Sequence, residues 1–226
     1  MKILNHDIAR NARCGVPEVV YGAGKTAEDL AEITKKILKD AGRVIITKAD
    51  DAKADEVIRV IDKKRFAVDY NRKGRVLVVK KKGFKAAHVG DLGLLTAGTS
   101  DIPVAEEAKA IAEELGCRVT CEYDVGIAGI HRVFSALERM RDMNAYIVVA
   151  GMEGALPSVV AGLVSAPVIA VPTSVGYGTS EHGKTALHTM LNSCTPLAVV
   201  NIDNGYGAAV VAYKILLSGN RKKGRS

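Results

Sequence analysis

Five short polar stretches and one cysteine carry most of the chemistry open to this chain of 226 residues. The stretches are Gly98-Thr99-Ser100-Asp101, Tyr123-Asp124-Val125-Gly126, Gly151-Met152-Glu153-Gly154, Pro172-Thr173-Ser174-Val175-Gly176-Tyr177-Gly178 and Asn201-Ile202-Asp203-Asn204-Gly205. Their residue types also serve as turn formers and helix caps. Gly98 lets a ligand approach the backbone. Free N–H groups at the start of the next helix, with the Thr99 and Ser100 hydroxyls, suit a phosphate. Asp101 would repel that phosphate. It reads either as the N-cap of the helix or as an acceptor for a proton or a ribose hydroxyl. His131-Arg132 reads either as a partner for phosphate or carboxylate or as the solvent face of a helix start. Cys194 stands in Asn192-Ser193-Cys194-Thr195-Pro196, a polar turn. By type it is an inert small residue or a nucleophile, and a helix C-terminus does not promote its thiolate.

Other chemistries lack their motifs. Gly98-Thr99-Ser100 has no G-x-G-x-x-G spacing, and neither a Walker A lysine motif nor a G-x-S-x-G elbow occurs. Cys117 and Cys121 are not followed by a second pair, so a zinc site is disfavoured against two small residues at the edges of a strand.

The elements that must position these groups follow from periodicity. From Val89 onward, strands at Gly93–Ala97, Arg118–Tyr123, Ala145–Ala150, Pro167–Val171 and Leu197–Ile202 alternate with helices at Ile102–Leu115, Ile130–Met143, Leu156–Val164, Gly183–Ser193 and Ala208–Leu217. This alternation predicts an α/β fold, a flavodoxin-like parallel five-stranded sheet of order 2-1-3-4-5 covered on both faces. The polar stretches then fall at the carboxyl ends of the strands, where such sheets bind ligands. Cys194 follows a helix and precedes a strand, so it falls at the opposite, amino edge. Either the Pro196 turn folds back or a neighbouring subunit completes the site.

Residues 1–86 read as a smaller α/β unit, and 87–226 as the main domain. Strands are expected at Glu18–Tyr21 and Val44–Thr47, and helices at Thr26–Ala41, capped by Thr26 and closed by Gly42, and around Ala54–Lys63. Phe66–Tyr70 and Arg75–Lys80 flank Asn71-Arg72-Lys73-Gly74 as a hairpin.

The composition is that of a folded domain, 48% apolar and 25% charged. No apolar run spans a membrane, and Asn5, His6, Asp7 and Arg10 break any apolar leader, so the chain reads as cytoplasmic. The net charge of +7 rests largely on Lys63-Lys64-Arg65, Lys80-Lys81-Lys82 and the tail Arg221-Lys222-Lys223-Gly224-Arg225. These read as solvated faces and a frayed tail. With no Trp and three Phe, the lysine clusters lack aromatics for base stacking, and no nucleic-acid partner is expected. Four scattered cysteines make no disulfide scaffold.

Five longer segments carry a resemblance. Thr96–Ala108, Asp124–Arg132, Val148–Leu163, Val171–Gly178 and Leu191–Ala209, with Gly15–Thr26 near the start, closely resemble the LarB family of nickel-pincer cofactor biosynthesis. The C-terminal half also resembles the PurE family of aminoimidazole ribonucleotide carboxylases and mutases. Gly98-Thr99-Ser100-Asp101 looks like that family's G-S-x-S-D loop and Leu156-Pro157 like its H-L-P-G segment. Ala155 stands at the position of that family's catalytic histidine.

The LarB resemblance implies a carboxylase-hydrolase. It would convert nicotinic acid adenine dinucleotide, CO2 and water into pyridinium-3,5-biscarboxylic acid mononucleotide and AMP. It implies Cys194 as a nucleophile that forms a covalent pyridine adduct and Glu153 as the proton acceptor, provided burial raises its pKa. Ser100 and Asp101 would position substrate or CO2. The loops would bind the dinucleotide through Gly98, Thr99, Asp124, Gly126, His131, Arg132, Gly151, Thr173, Ser174, Gly176, Tyr177, Gly178, Asn201, Asp203 and Asn204. No tightly bound cofactor is implied. A divalent ion such as Mg2+ would neutralise the pyrophosphate, but no ligand cluster in the sequence identifies its site. A homo-oligomer with an inter-subunit active site is the expected assembly. The competing readings are a PurE-like carboxylase or mutase and a non-catalytic nucleotide-binding regulator.

Overall fold

The computed structural model describes residue 7 and residues 9–223 of the chain. Asn5 and His6, read above as breaking a leader, lie outside the described residues. So do Gly224 and Arg225 of the tail, whereas Arg221 to Lys223 continue the last helix. The chain divides into two units, residues 1–86 and 87–226.

The first unit begins with a short helix, α1 (Arg10–Cys14), which the periodicity does not announce. It then runs β1 (Val19–Tyr21), α2 (Ala27–Ala41), β2 (Arg43–Thr47), α3 (Asp51–Val60), β3 (Phe66–Asn71) and β4 (Val76–Lys81). The sheet order is β1-β2-β4-β3, with only β1 and β2 parallel. Thr26 caps α2 by accepting the Asp29 N–H at 3.1 Å, and Gly42 closes it in the left-handed conformation. Helix α3 starts three residues before its expected position because Asp50 is its cap, accepting the Lys53 N–H at 3.0 Å. Asn71 Oδ1 accepts the Gly74 N–H at 2.9 Å and shapes the β3–β4 turn. Leu30, Ile33, Ile37, Val44, Ile46, Val57, Leu77 and Val79 form this unit's core.

The second unit alternates β5 (Gly90–Thr96), α4 (Ile102–Glu114), β6 (Cys117–Glu122), α5 (Ile130–Arg139), β7 (Ala145–Ala150), α6 (Leu156–Ala161), β8 (Val168–Pro172), α7 (Lys184–Leu191), β9 (Ala198–Val199) and α8 (Gly205–Lys223). All four strand pairings are parallel, in the order β6-β5-β7-β8-β9. This is the 2-1-3-4-5 order that the sequence predicts. Every residue of β7 is buried, as expected of a central strand covered on both faces. Strand β9 is far shorter than the expected Leu197–Ile202. Pro196 has no N–H to donate, and the Ile202 N–H is taken by Asn201 Oδ1 at 2.9 Å. Among the described residues no helix is long and apolar enough to cross a membrane.

Candidate active site

A cavity of about 730 Å3 lies beyond the carboxyl ends of β5, β6, β7 and β8. The strand order reverses there: the chain passes from β5 to β6 on one side and continues through β7, β8 and β9 on the other. Such switch points leave a crevice between diverging loops, and the volume suits a small-molecule ligand.

Asp101 forms the floor. It ends a tight 3-10 turn, Thr99–Asp101, and is only 3% exposed. Its Oδ2 accepts the Gly98 N–H at 2.9 Å, its Oδ1 accepts the Thr173 hydroxyl at 2.7 Å, and the Gly151 N–H is a third donor. The side chain makes no capping bond to α4, so the N-cap reading is corrected. The carboxylate turns inward because the Thr173 hydroxyl waits at the end of β8. Burial pushes the Asp101 carboxyl above the usual range, against the pull of its three donors, and the nearby Asp203 charge adds to the rise.

Glycines allow the loops to close this tightly. A Cβ on Gly151 would lie 2.6 Å from Thr173 Oγ1, and one on Gly126 would lie 2.7 Å from the Ala97 carbonyl oxygen. Gly98, Ser100 and Gly176 complete the polar lining, and Tyr177 stands on the rim, 77% exposed. Glu153 also lines the cavity but is exposed, so the burial expected of it is absent. The buried carboxylate of the site is Asp101. The apolar wall, including Ile127, Met152, Leu156 and Val175, carries no polar signature by which a sequence could mark it as part of a site.

Several expected ligand-binding residues face other tasks. Thr173 is fully buried behind Asp101. Arg132 donates to the Asp124 carbonyl at 2.6 Å and to its carboxylate at 3.1 Å, which ties both to the loop beside the cavity. His131 is exposed on the first turn of α5, as the solvent-face reading expects. Asp203 accepts the Ser174 N–H at 2.9 Å, and Asn204 accepts the Gly207 N–H at 2.8 Å, so both brace backbone. Asn201 does the same for Ile202. Thr99, Ser174 and Gly178 are exposed and lie outside the cavity lining.

Cys194 is exposed and lies at the amino edge, in the turn between α7 and β9. That turn is fastened to α6: Ser158 Oγ donates to Ser193 Oγ at 2.8 Å, and the Thr195 hydroxyl donates to the Ser158 carbonyl at 3.2 Å. The Pro196 turn therefore does not bring Cys194 into the cavity. Cys117 and Cys121 lie on β6, where burial pushes the Cys117 thiol up to about 12 and raises that of Cys121. No group of three or more His, Cys, Asp or Glu able to hold a metal stands among the described residues. Among the described residues, the cavity lining contains two carboxylates and no Lys, Arg or His.

The AIR carboxylase family model matches residues 91–224, the stretch that contains the whole cavity, and the LarB/PurE-like N-terminal domain model matches residues 1–82. The chain belongs to the AIR carboxylase family. Within its reach, an uncharacterized protein of Methanocaldococcus jannaschii is 51% identical over 213 residues, which cover 92% of this chain and 82% of that protein. An N5-carboxyaminoimidazole ribonucleotide mutase of the same organism is 33% identical over 131 residues, 54% of this chain and 76% of the mutase. A crystal structure of Treponema denticola PurE aligns with 59% of this chain and 92% of its own, at 20% identity and a TM-score of 0.44.

Proposed function

We propose that this enzyme of carboxylase and mutase type carboxylates the pyridinium ring of nicotinic acid adenine dinucleotide and cleaves its pyrophosphate. The products are pyridinium-3,5-biscarboxylic acid mononucleotide and AMP. The observation that carries the reading is Ala155. It lines the cavity, and by the sequence resemblance it stands where the carboxylases and mutases have their catalytic histidine, so on this reading that imidazole is not available for imidazole-ribonucleotide chemistry. The LarB/PurE-like N-terminal domain supports the same reading.

A pyridinium ring is electron-poor and does not attack CO2. Addition of the Cys194 thiolate at C4 forms a C–S bond and moves a ring electron pair onto nitrogen. The resulting dienamine attacks CO2 through C5. Loss of the C5 proton to Glu153, acting as an exposed carboxylate rather than the buried one expected, followed by departure of the thiolate from C4, restores the aromatic ring with no net redox change. Water cleaves the pyrophosphate P–O bond and releases AMP. Ser100 and the buried Asp101 position the substrate.

Cys194 and the cavity lie on opposite edges of one sheet, so the reading requires a homo-oligomer in which a second copy presents Cys194 to the cavity. The dinucleotide's negative charge needs cations, and the described residues of the lining supply none. A second copy, or a divalent ion such as Mg2+ carried on the pyrophosphate, would supply them. The described residues do not themselves build a metal centre.

The deciding experiment incubates the protein with bicarbonate and either nicotinic acid adenine dinucleotide or aminoimidazole ribonucleotide, and reads product masses. The expected result is a biscarboxylated mononucleotide with AMP from the first and no product from the second. Carboxylation or carboxylate migration on the imidazole alone would replace this reading with the mutase one, which the matches to mutases over about half of the chain favour.

A further inference from the structure

Thr173 is wholly buried, and its hydroxyl donates to Asp101 Oδ1 at 2.7 Å. The surrounding backbone is shaped to that contact. A side chain on Gly151 would begin 2.6 Å from the Thr173 hydroxyl oxygen, and one on Gly183, a left-handed residue, 2.5 Å from the Thr173 carbonyl oxygen. The Thr173 N–H donates to the Ala150 carbonyl at 3.0 Å. Asp101 holds the Gly98 N–H through its other oxygen. The ends of β5, β7 and β8 thus meet at one carboxylate and one hydroxyl.

We infer that Thr173 is a positioning residue: its hydroxyl fixes the Asp101 carboxylate as the floor of the cavity and locks the loops after β5 and β8 together. Thr173 touches no ligand in this role and acts through Asp101. The inference rests on the proposed function for its consequence in catalysis, but not for its test.

The charged form of Asp101 is opposed by burial and by Asp203, and held by Thr173, Gly98 and Gly151. Removing the Thr173 donor takes away one of the three supports, so Asp101 will keep its proton to still higher pH. Thr173→Val retains the shape without the hydroxyl, whereas Thr173→Ser retains the hydroxyl.

The test is carboxyl 13C NMR of the full chain across a pH titration, with Asp101→Asn assigning the resonance. In Thr173→Val the Asp101 midpoint should move to higher pH, and in Thr173→Ser it should stay at the wild-type value. An unmoved midpoint in folded Thr173→Val overturns the inference. If that variant does not fold, the wild type still decides. Exchange of the Thr173 hydroxyl proton for deuterium should shift the Asp101 carboxyl resonance, and no shift overturns the inference. In parallel, kcat/KM for the dinucleotide in Thr173→Val should fall roughly tenfold at neutral pH, the scale of one hydrogen bond to a charged group, with its acidic limb displaced upward and Thr173→Ser restoring the wild-type profile. A wild-type protein inactive on the dinucleotide would defeat the proposed function and leave the NMR result standing.

Discussion

The two edges of the parallel sheet are built in opposite ways. At the carboxyl edge, four glycine-bearing loops converge on a cavity whose floor is a buried carboxylate held by three donors. At the amino edge, a single turn is fastened to α6 by Ser158, Ser193 and Thr195 and leaves Cys194 exposed. One edge offers an enclosed volume without a thiol, and the other a thiol without an enclosure. Parallel strands impose this separation, because every helix-to-strand turn returns to the amino edge. A reaction that needs both groups therefore needs two copies of the chain.

The largest expected effect tests the amino edge. Cys194→Ser should lower carboxylation roughly a thousandfold or more, the scale on which loss of a nucleophile is felt, while circular dichroism and oligomer size stay unchanged. Glu153→Gln, at the cavity rim, should lower product formation about a hundredfold, within the range of a general base. Substrate should still bind, and single-turnover mass spectrometry should find an adduct on Cys194. Normal product release in that variant would move the base to Asp101.

How far these contrasts could be read from the sequence depends on their range along the chain. Most strands and helices follow from local periodicity, and the order of the parallel sheet from their alternation; the capping of α2 by Thr26 and Gly42 is equally local. The five polar stretches were recognisable as strand ends for the same reason, and the amino-edge position of Cys194 follows from connectivity alone. The role of Asp101 did not follow. Its partner Thr173 is 72 residues away, and a sequence shows a carboxylate before a helix without showing which way it turns. Glu153 illustrates the converse: the role the resemblance implies for it presumes burial, but burial depends on neighbouring loops, and those leave it exposed. Likewise α5 ends at Arg139 rather than Met143, because the chain turns at Met140, where the Met143 N–H reaches the Met140 carbonyl at 3.2 Å.

A smaller effect sharpens the carboxyl edge. The Asp101 pKa is raised in the folded state, so its contribution to stability is fully present below the ordinary carboxylate range and is lost as pH rises through the raised value. Asp101→Asn cannot titrate. In urea unfolding at a series of pH values, the stability of the wild type relative to the variant should decline across that window and then level off. A flat difference would mean that Asp101 is not under strain from burial. The smallest effects belong to β6. Cys121→Ser should leave carboxylation within about twofold of wild type, and Cys117→Ser should do the same while costing about 1 kcal/mol of stability, since it buries a hydroxyl in an apolar place. Thiol labelling of the native protein should modify Cys194 and Cys14, both exposed, well before Cys117.

Subunit mixing tests the division of labour between the two edges most directly. Cys194→Ser and Glu153→Gln, each nearly inactive alone, are co-expressed with different affinity tags, and the doubly tagged assembly is assayed for carboxylation of nicotinic acid adenine dinucleotide. The account predicts that activity returns in the mixed assembly, because a cavity with Glu153 from one copy meets Cys194 from the other. A doubly tagged assembly that forms but stays as inactive as its parents would contradict it.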